Sequence, residues 1–314
     1  MNAIAKDWTV DNALWAPARA RLSVLIPYLN YDPRPLLAAL EREADALQGA
    51  VEIVLLDDGG EDDAFAGDIA RAVEGLRLPT RSVRLFVNEG RAKGRNRLAS
   101  HARGRHLLFL DSDMLPDAPD FLGRWLAHIG ADDPAVTFGG FSLDQAPPRR
   151  EHALHRKLAG RSDCAPAAQR RLNPEKYVFT SNLLVRRDVF DAEAFDEGFK
   201  GWGWEDVEWG IRISGRFPVT HIDNTATHLG LDSAEVIALK YEQSAANFAR
   251  VSRAHPKVVR RYPSHRAARL LKALPLRRVW RPALKGLALA PFAPVGLRAF
   301  SMRLYRAALC ADAI

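Results

Sequence analysis

Cysteine is scarce in this chain of 314 residues: Cys164 and Cys310 stand far apart, without the paired spacing of a metal site, so neither a disulfide framework nor a cysteine-zinc site is expected to organise the fold. Long apolar runs are also missing. The longest near the C-terminus, Gly286 to Leu297, is about 12 residues with two prolines, against the roughly 20 that a bilayer-spanning helix requires. No transmembrane helix is expected. The opening MNAIAKDWTVDNALW lacks a charged start, an apolar centre and a small-residue cleavage site, so no signal peptide is expected and the active region is expected in the cytoplasm. Zinc-finger spacing, a helix-turn-helix signature and an RNP-type aromatic run are absent as well, which argues against nucleic acid as a partner despite a net charge of +7.

What the chain does have is enough apolar residue, 47%, for a full core and one large domain with an appendage. Its charge is uneven. Of 45 basic and 38 acidic residues, ten basic ones and the single acid Asp312 fall in residues 265–314. The body is therefore nearly neutral and the tail is the basic object.

Short apolar runs closed by turn residues predict strands at Leu22–Pro27, Val51–Leu56, Val83–Val87, Leu107–Leu110 and Ala135–Phe138. Helical periodicity lies between them, over Leu36–Leu47, Ala64–Leu76 and Gly94–Ala102. This alternation predicts a doubly wound, mostly parallel sheet, in which ligands bind beyond the carboxyl ends of the strands. Asp57-Asp58-Gly59-Gly60 and Asp111-Ser112-Asp113 both stand at such ends. The polar stretch 144–176 is longer than an ordinary connection, and its pattern leaves open a helix or a mobile lid.

Each acidic cluster taken alone also reads as a strand-ending turn. As chemistry, Asp111 and Asp113 offer the hard oxygen ligands that suit Mg2+ or Mn2+, held through few side chains and the phosphates of a substrate. One carboxylate of Asp57-Asp58 suits a base N–H. The cations and glycines of NEGRAKGRN, residues 88–96, suit a diphosphate. His228, an ordinary histidine by itself, becomes a third metal ligand beside a D-x-D. GWGWEDVEWGIR, residues 201–212, sets three tryptophans among Glu205, Asp206 and Glu208, an arrangement suited to stacking and deprotonation together.

LSVLIPYLN, VLLDDGG, NEGRAKGRNRLA, FLDSD, GWGWEDVEWGIR and THLG follow one another as they do in metal-dependent nucleotide-sugar glycosyltransferases of the GT-A fold. The chain resembles a bacterial family 2 enzyme. Its second half is similar to the galactosyltransferase-type region shared by β-1,4-galactosyltransferases, polypeptide N-acetylgalactosaminyltransferases and chondroitin polymerases. The resemblance, over roughly residues 20–232, implies a Rossmann-like α/β domain with a mostly parallel central sheet over residues 1–264, and a basic helical tail over 265–314. It implies that Pro27, Tyr28, Asp57 and Asp58 surround the nucleotide base with Asn88 and Arg95 nearby, and that Asp111, next to Ser112, meets ribose or metal. Asp113 and His228 complete a Mn2+ or Mg2+ site, Trp202 packs on the sugars, Glu205 bonds their hydroxyls and Asp206 is the general base. A base behind the anomeric carbon implies inversion, with a UDP-sugar donor and a saccharide or lipid-linked acceptor for a cell-surface glycan. Alternatives are a retaining transferase, a nucleotidyltransferase of similar fold, or a catalytically silent sugar-binding protein.

The tail interleaves Leu, Trp and Phe with Arg and Lys at helical spacing, cut by Pro275, Pro282, Pro291 and Pro294. Such basic amphipathic pieces suit an anionic membrane surface, here the inner face of the cell membrane. Packing on the catalytic domain or on a second copy in a homodimer is the other reading.

Overall fold

The computed structural model describes residues 7–47, 49–312 and 314. An eight-stranded sheet forms its centre. From one edge it runs β1 (Asp7–Asp11), β4 (Thr80–Leu85), β3 (Val51–Asp57), β2 (Leu22–Tyr28), β5 (His106–Phe109), β9 (Leu183–Arg186), β7 (Val136–Phe138) and β10 (Val219–His221). Strands β2 to β5 are parallel; β1 is antiparallel to β4, and β9 is antiparallel to both its neighbours. A second sheet of three short strands orders β6 (Met114–Pro116), β11 (Ala226–His228) and β8 (Phe141–Ser142).

The runs LSVLIP and VEIVLL are apolar on both faces because both faces are covered. Alternate residues join different cores: Leu25, Val54 and Leu56 pack with Leu107 and Phe109 on one side, and Val24, Ile53 and Leu55 with Leu108 and Leu110 on the other. The covering helices before β9 are α1 (Arg34–Glu41), α2 (Ala44–Leu47), α3 (Asp63–Glu74), α4 (Arg91–His101), α5 (Phe121–Asp132), α6 (Ala153–Ser162) and α7 (Ala167–Arg170). After β9 come α8 (Arg187–Ala192), α9 (Glu205–Ser214), α10 (Ala234–Ala254), α11 (Pro256–Val259), α12 (Pro263–Ala273), α13 (Arg277–Leu289) and α14 (Val295–Asp312).

Two expected boundaries moved. The helix expected over Leu36–Leu47 divides in two, and between the halves Glu43 accepts from the backbone N–H groups of Leu122 and Gly123, both at 2.9 Å, capping the start of α5. The third strand lies at Thr80–Leu85, and Phe86 and Val87 are exposed in the loop leading to α4. The stretch 144–176 is helical, containing α6, α7 and two short 3₁₀ turns.

The C-terminal helices pack on the body. Helix α14 buries Ala299, Met302, Tyr305 and Leu309 with Leu154 of α6 and Ile237 of α10, while Cys310 and Ala311 join Phe248 and Val251. Helix α12 starts at Pro263, two residues ahead of the expected tail.

Candidate active site

The chain leaves β5 and turns at once, the N–H of Met114 bonding the Asp111 carbonyl at 3.0 Å, before entering β6. Antiparallel pairing of β6 with β11 sets His228 opposite Met114. Two side chains 115 positions apart thereby meet: His228 Nε2 lies 3.1 Å from Asp113 Oδ2. Burial opposes charge on Asp113, yet the His228 hydrogen bond and charge, with Arg91, hold its carboxyl below the usual range. Burial likewise opposes charge on His228, which the bond to Asp113 overcomes, so its pKa is raised. Gly230 closes the cradle, since a Cβ there would stand 2.0 Å from Asp113 Oδ2.

Asp111 Oδ1 accepts from Arg95 Nη2 at 2.8 Å, and no group of three His, Cys, Asp or Glu placed to hold a metal occurs among the described residues. Asp113 and His228 fit a divalent cation by their chemistry, an anionic oxygen and an imidazole nitrogen 3.1 Å apart.

The wall facing the D-x-D turn is built by the GWGW turn. Gly201, Gly203 and Trp204 have φ of 70°, 86° and 77°, the left-handed region that glycine enters freely and tryptophan only at a cost of about 1–3 kcal/mol. Trp204 is held there as a 7% exposed core residue, its ring 4.8 Å from Phe248. The turn delivers Glu205 and Asp206 as the first residues of α9. Burial and the neighbouring Glu205 charge push Asp206 up to about 7. Glu205 is 3% exposed, with Oε1 at 3.7 Å from Arg95 Nη1 and Oε2 buried without a hydrogen-bond partner. Arg91 lies within electrostatic range of Asp111, Asp113, Glu205 and Asp206, so the D-x-D turn and the Glu-Asp pair border one space. Trp202 is half-buried beside Tyr241. Trp209 is core, and Glu208 bonds Arg212 and His255 behind the site.

The residues expected around a base are more deeply set than the sequence suggests. Tyr28 and Asp57 are 4% and 2% exposed; Asp57 accepts from the Gly60 N–H at 2.9 Å, and burial followed by the Asp57 charge raises the Tyr28 pKa. Asp58 accepts from the N–H groups of Glu89 and Gly90, at 2.9 and 3.1 Å, just ahead of α4. Asn88 is exposed and donates to the Asp58 carbonyl, Pro27 is half-buried, and Ser112 is buried. Arg95, 2% exposed, bridges Asp111 and Glu205 from beneath.

Two residues near the site carry no motif. His155 of α6 stacks edge-on to His228 at 5.6 Å between ring centres and accepts at Nδ1 from the Asp232 N–H at 2.8 Å; burial and then the His228 charge lower its pKa to about 4. Tyr31, after β2, has its pKa raised by burial and then by Asp113. No spacing ties these side chains to the D-x-D; only the folded chain does.

A family model described as Glycosyl transferase family 2 matches residues 23–193. The uncharacterized glycosyltransferase YfnE of Bacillus subtilis (strain 168) is 24% identical over 245 residues, covering 62% of this chain and 60% of that protein, so the chain spans about three-fifths of that relative. Among solved structures, the mannosyltransferase PcManGT from Pyrobaculum calidifontis, in complex with GDP-Man and Mn2+, matches with a TM-score of 0.58 at 16% identity, over 94% of this chain and 88% of that one. S. aureus TarS 1-349 matches with a TM-score of 0.51 at 17% identity, over 91% and 89%. At these identities the likeness is one of fold, and the fold is GT-A. The family model takes in the parallel strands, the D-x-D turn and β9, more than half of the 314 residues, and the chain belongs to glycosyl transferase family 2.

Proposed function

We propose that this glycosyltransferase is metal-dependent and inverting, and moves a sugar from a UDP-sugar to a glycan or lipid-linked saccharide in cell-surface polysaccharide synthesis. The observation that carries the reading is the Glu205–Asp206 pair at the start of α9, joined electrostatically to Asp111 and Asp113 through Arg91. A carboxyl whose pKa is about 7 suits a general base at neutral pH, a role typically worth about 10²–10⁴-fold in rate. Asp206 takes the proton of the acceptor hydroxyl as that oxygen attacks the anomeric carbon. The unpartnered Glu205 Oε2 accepts from a sugar hydroxyl, and Arg95 keeps Glu205 and Asp111 in register. Asp113 and His228 would hold Mn2+ or Mg2+, which when bound balances charge on the leaving diphosphate. The GDP-Man and Mn2+ of the mannosyltransferase support a nucleotide-sugar donor and a divalent metal here; uridine rests on the galactosyltransferase-type resemblance.

The test is transfer by Asp206→Asn. Turnover is expected to fall by about 10²–10⁴-fold while binding of nucleotide sugar with Mn2+, read by thermal shift, stays within about twofold, and Asp113→Ala is expected to weaken that binding. Unchanged turnover in Asp206→Asn removes the base. A retained anomer in the product, read by NMR, replaces inversion with the retaining alternative.

We also propose attachment to an anionic membrane surface. No helix among the described residues is long and apolar enough to cross a membrane. Its support is both apolar and basic: Leu270, Leu276, Val279 and Phe292 are 73%, 74%, 66% and 90% exposed, and Arg266 and Arg269 are exposed as well, while Arg281 and Lys285 pair with Asp312 and Glu242. Flotation of the intact protein with anionic vesicles at low and high salt checks this; absence from the vesicle fraction at both overturns it.

A further inference from the structure

The edge of the acceptor side is formed by a residue of the last helix. Arg306 of α14 lies with its guanidinium carbon 5.4 Å from the Trp204 ring centre and 4.7 Å from that of Tyr241. Trp204 directly precedes Glu205, and Tyr241 lies 6.2 Å from Trp202, the residue expected to pack on sugars. Two aromatic contacts satisfy the faces of a planar cation but not its N–H groups, which point outward in the plane. Those of Arg306 are unused: Nε is buried without a partner, and Arg306 makes no hydrogen bond or ion pair with any described residue. Asp163, in the turn after α6, lies within electrostatic range of both Arg306 and His228. It does not bond Arg306; burial raises its pKa, and Ser162 is its hydrogen-bond partner.

We infer that Arg306 is an acceptor-side receptor for an oxyanion, a phosphate or carboxylate group carried by the acceptor saccharide. A guanidinium held against two rings presents its N–H fork in one plane, which matches the paired oxygens of either group. Nε is enclosed, so the terminal N–H groups are the donors that can meet an oxyanion. Asp163 tunes the site, its charge lowering affinity for any anion nearby. The inference rests on the Glu205–Asp206 reading of the acceptor side.

The experiment uses the full-length protein with Mn2+ and saturating UDP, so that the donor's diphosphate site is filled. The probes are inorganic phosphate, methyl glucuronide and unsubstituted methyl glucoside, and binding is read by tryptophan fluorescence. Wild type is expected to bind phosphate or the glucuronide in preference to the glucoside. Arg306→Gln is expected to lose that preference by about ten- to a hundredfold, and Arg306→Lys to keep part of it. Asp163→Asn, which leaves the stacked arginine in place, is expected to tighten the anion severalfold, an effect absent in the double variant Asp163→Asn/Arg306→Gln. Preference for phosphate alone assigns the group as a phosphate ester, and preference for the glucuronide alone as a uronate. Equal binding of all three probes, or an anion preference that survives in Arg306→Gln, overturns the inference. If Arg306→Gln is too unstable to assay, the absence of tightening in Asp163→Asn overturns it alone. UDP binding with Mn2+ is measured in parallel: its loss in wild type undermines the glycosyltransferase reading, whereas its presence without anion preference defeats only the role of Arg306.

Discussion

Asp206 is the residue whose surroundings work against its charge. Its ordinary carboxyl pKa of 3.8 rises to about 7 through burial and then through Glu205. The raised value has a fixed sign for stability: protonation favours the folded state, fully below about pH 4, and that contribution disappears as pH rises through 7. Asp206→Asn carries no such charge, so its melting temperature is expected to exceed that of wild type at pH 8, by about 2 °C or more, with the gap closing toward pH 5. Wild-type kcat/KM is expected to rise toward a plateau across pH 7 as the base loses its proton. A melting gap that is the same at both pH values would mean that Asp206 is not buried in charged form. The sequence points to Asp206 through its place in W-G-W-E-D and sets Glu205 beside it; its pKa depends first on burial, which only folding supplies, as it supplies the nearby Arg95 and Arg91.

At the scale of elements, the GWGW turn decides how α9 points into the site. Its glycines are legible as turn residues, but the left-handed φ of Trp204 is not, because propensity argues against it. Packing on Phe248 overrides that preference. Gly203, at φ +86°, has room for a methyl group, the nearest atom to an added Cβ being Ser244 Cβ at 3.6 Å, so Gly203→Ala tests backbone conformation rather than crowding. Left-handed backbone at a non-glycine costs about 1–2 kcal/mol. The variant is expected to melt a few degrees lower and to lose about tenfold or more in kcat, with donor binding unchanged. Wild-type kcat would show that the turn does not aim Glu205 and Asp206. The short strands were hidden for a different reason: β6, β8 and β11 have two or three residues each, too few for a period to be read, yet their register joins Asp113 to His228.

For the whole molecule, the C-terminal helices behave as part of the domain. The sequence marks residues 265–314 as a basic tail, because every motif precedes Leu231 and ten basic residues follow His265, and leaves open whether it meets a membrane or packs on the domain. In the fold, Met302, Ala308 and Ala311 are at most 1% exposed, and Phe248 and Val251 are covered by the same cluster. Removing residues 265–314 would therefore expose apolar core and also remove Arg306 from Trp204. The truncated protein is expected to aggregate or to melt well below the intact one, as measured by light scattering during a thermal ramp. A truncated protein as stable and active as the full chain would make the tail separable.

The sequence by itself determined the alternation of parallel strands and helices, the position of the acidic turns at strand ends, and the family-like order of D-x-D, W-G-W-E-D and histidine. These are local properties: apolar runs, turn residues and motifs carry them within a few residues of each other. Tertiary structure alone decided that Asp111 pairs with Arg95 while Asp113 pairs with His228, and that Asp57 and Tyr28 are enclosed. It also decided that Arg306 reaches Trp204 from about a hundred residues away. Each is a choice among several partners of compatible chemistry, and only the packing of distant elements leaves one partner within reach.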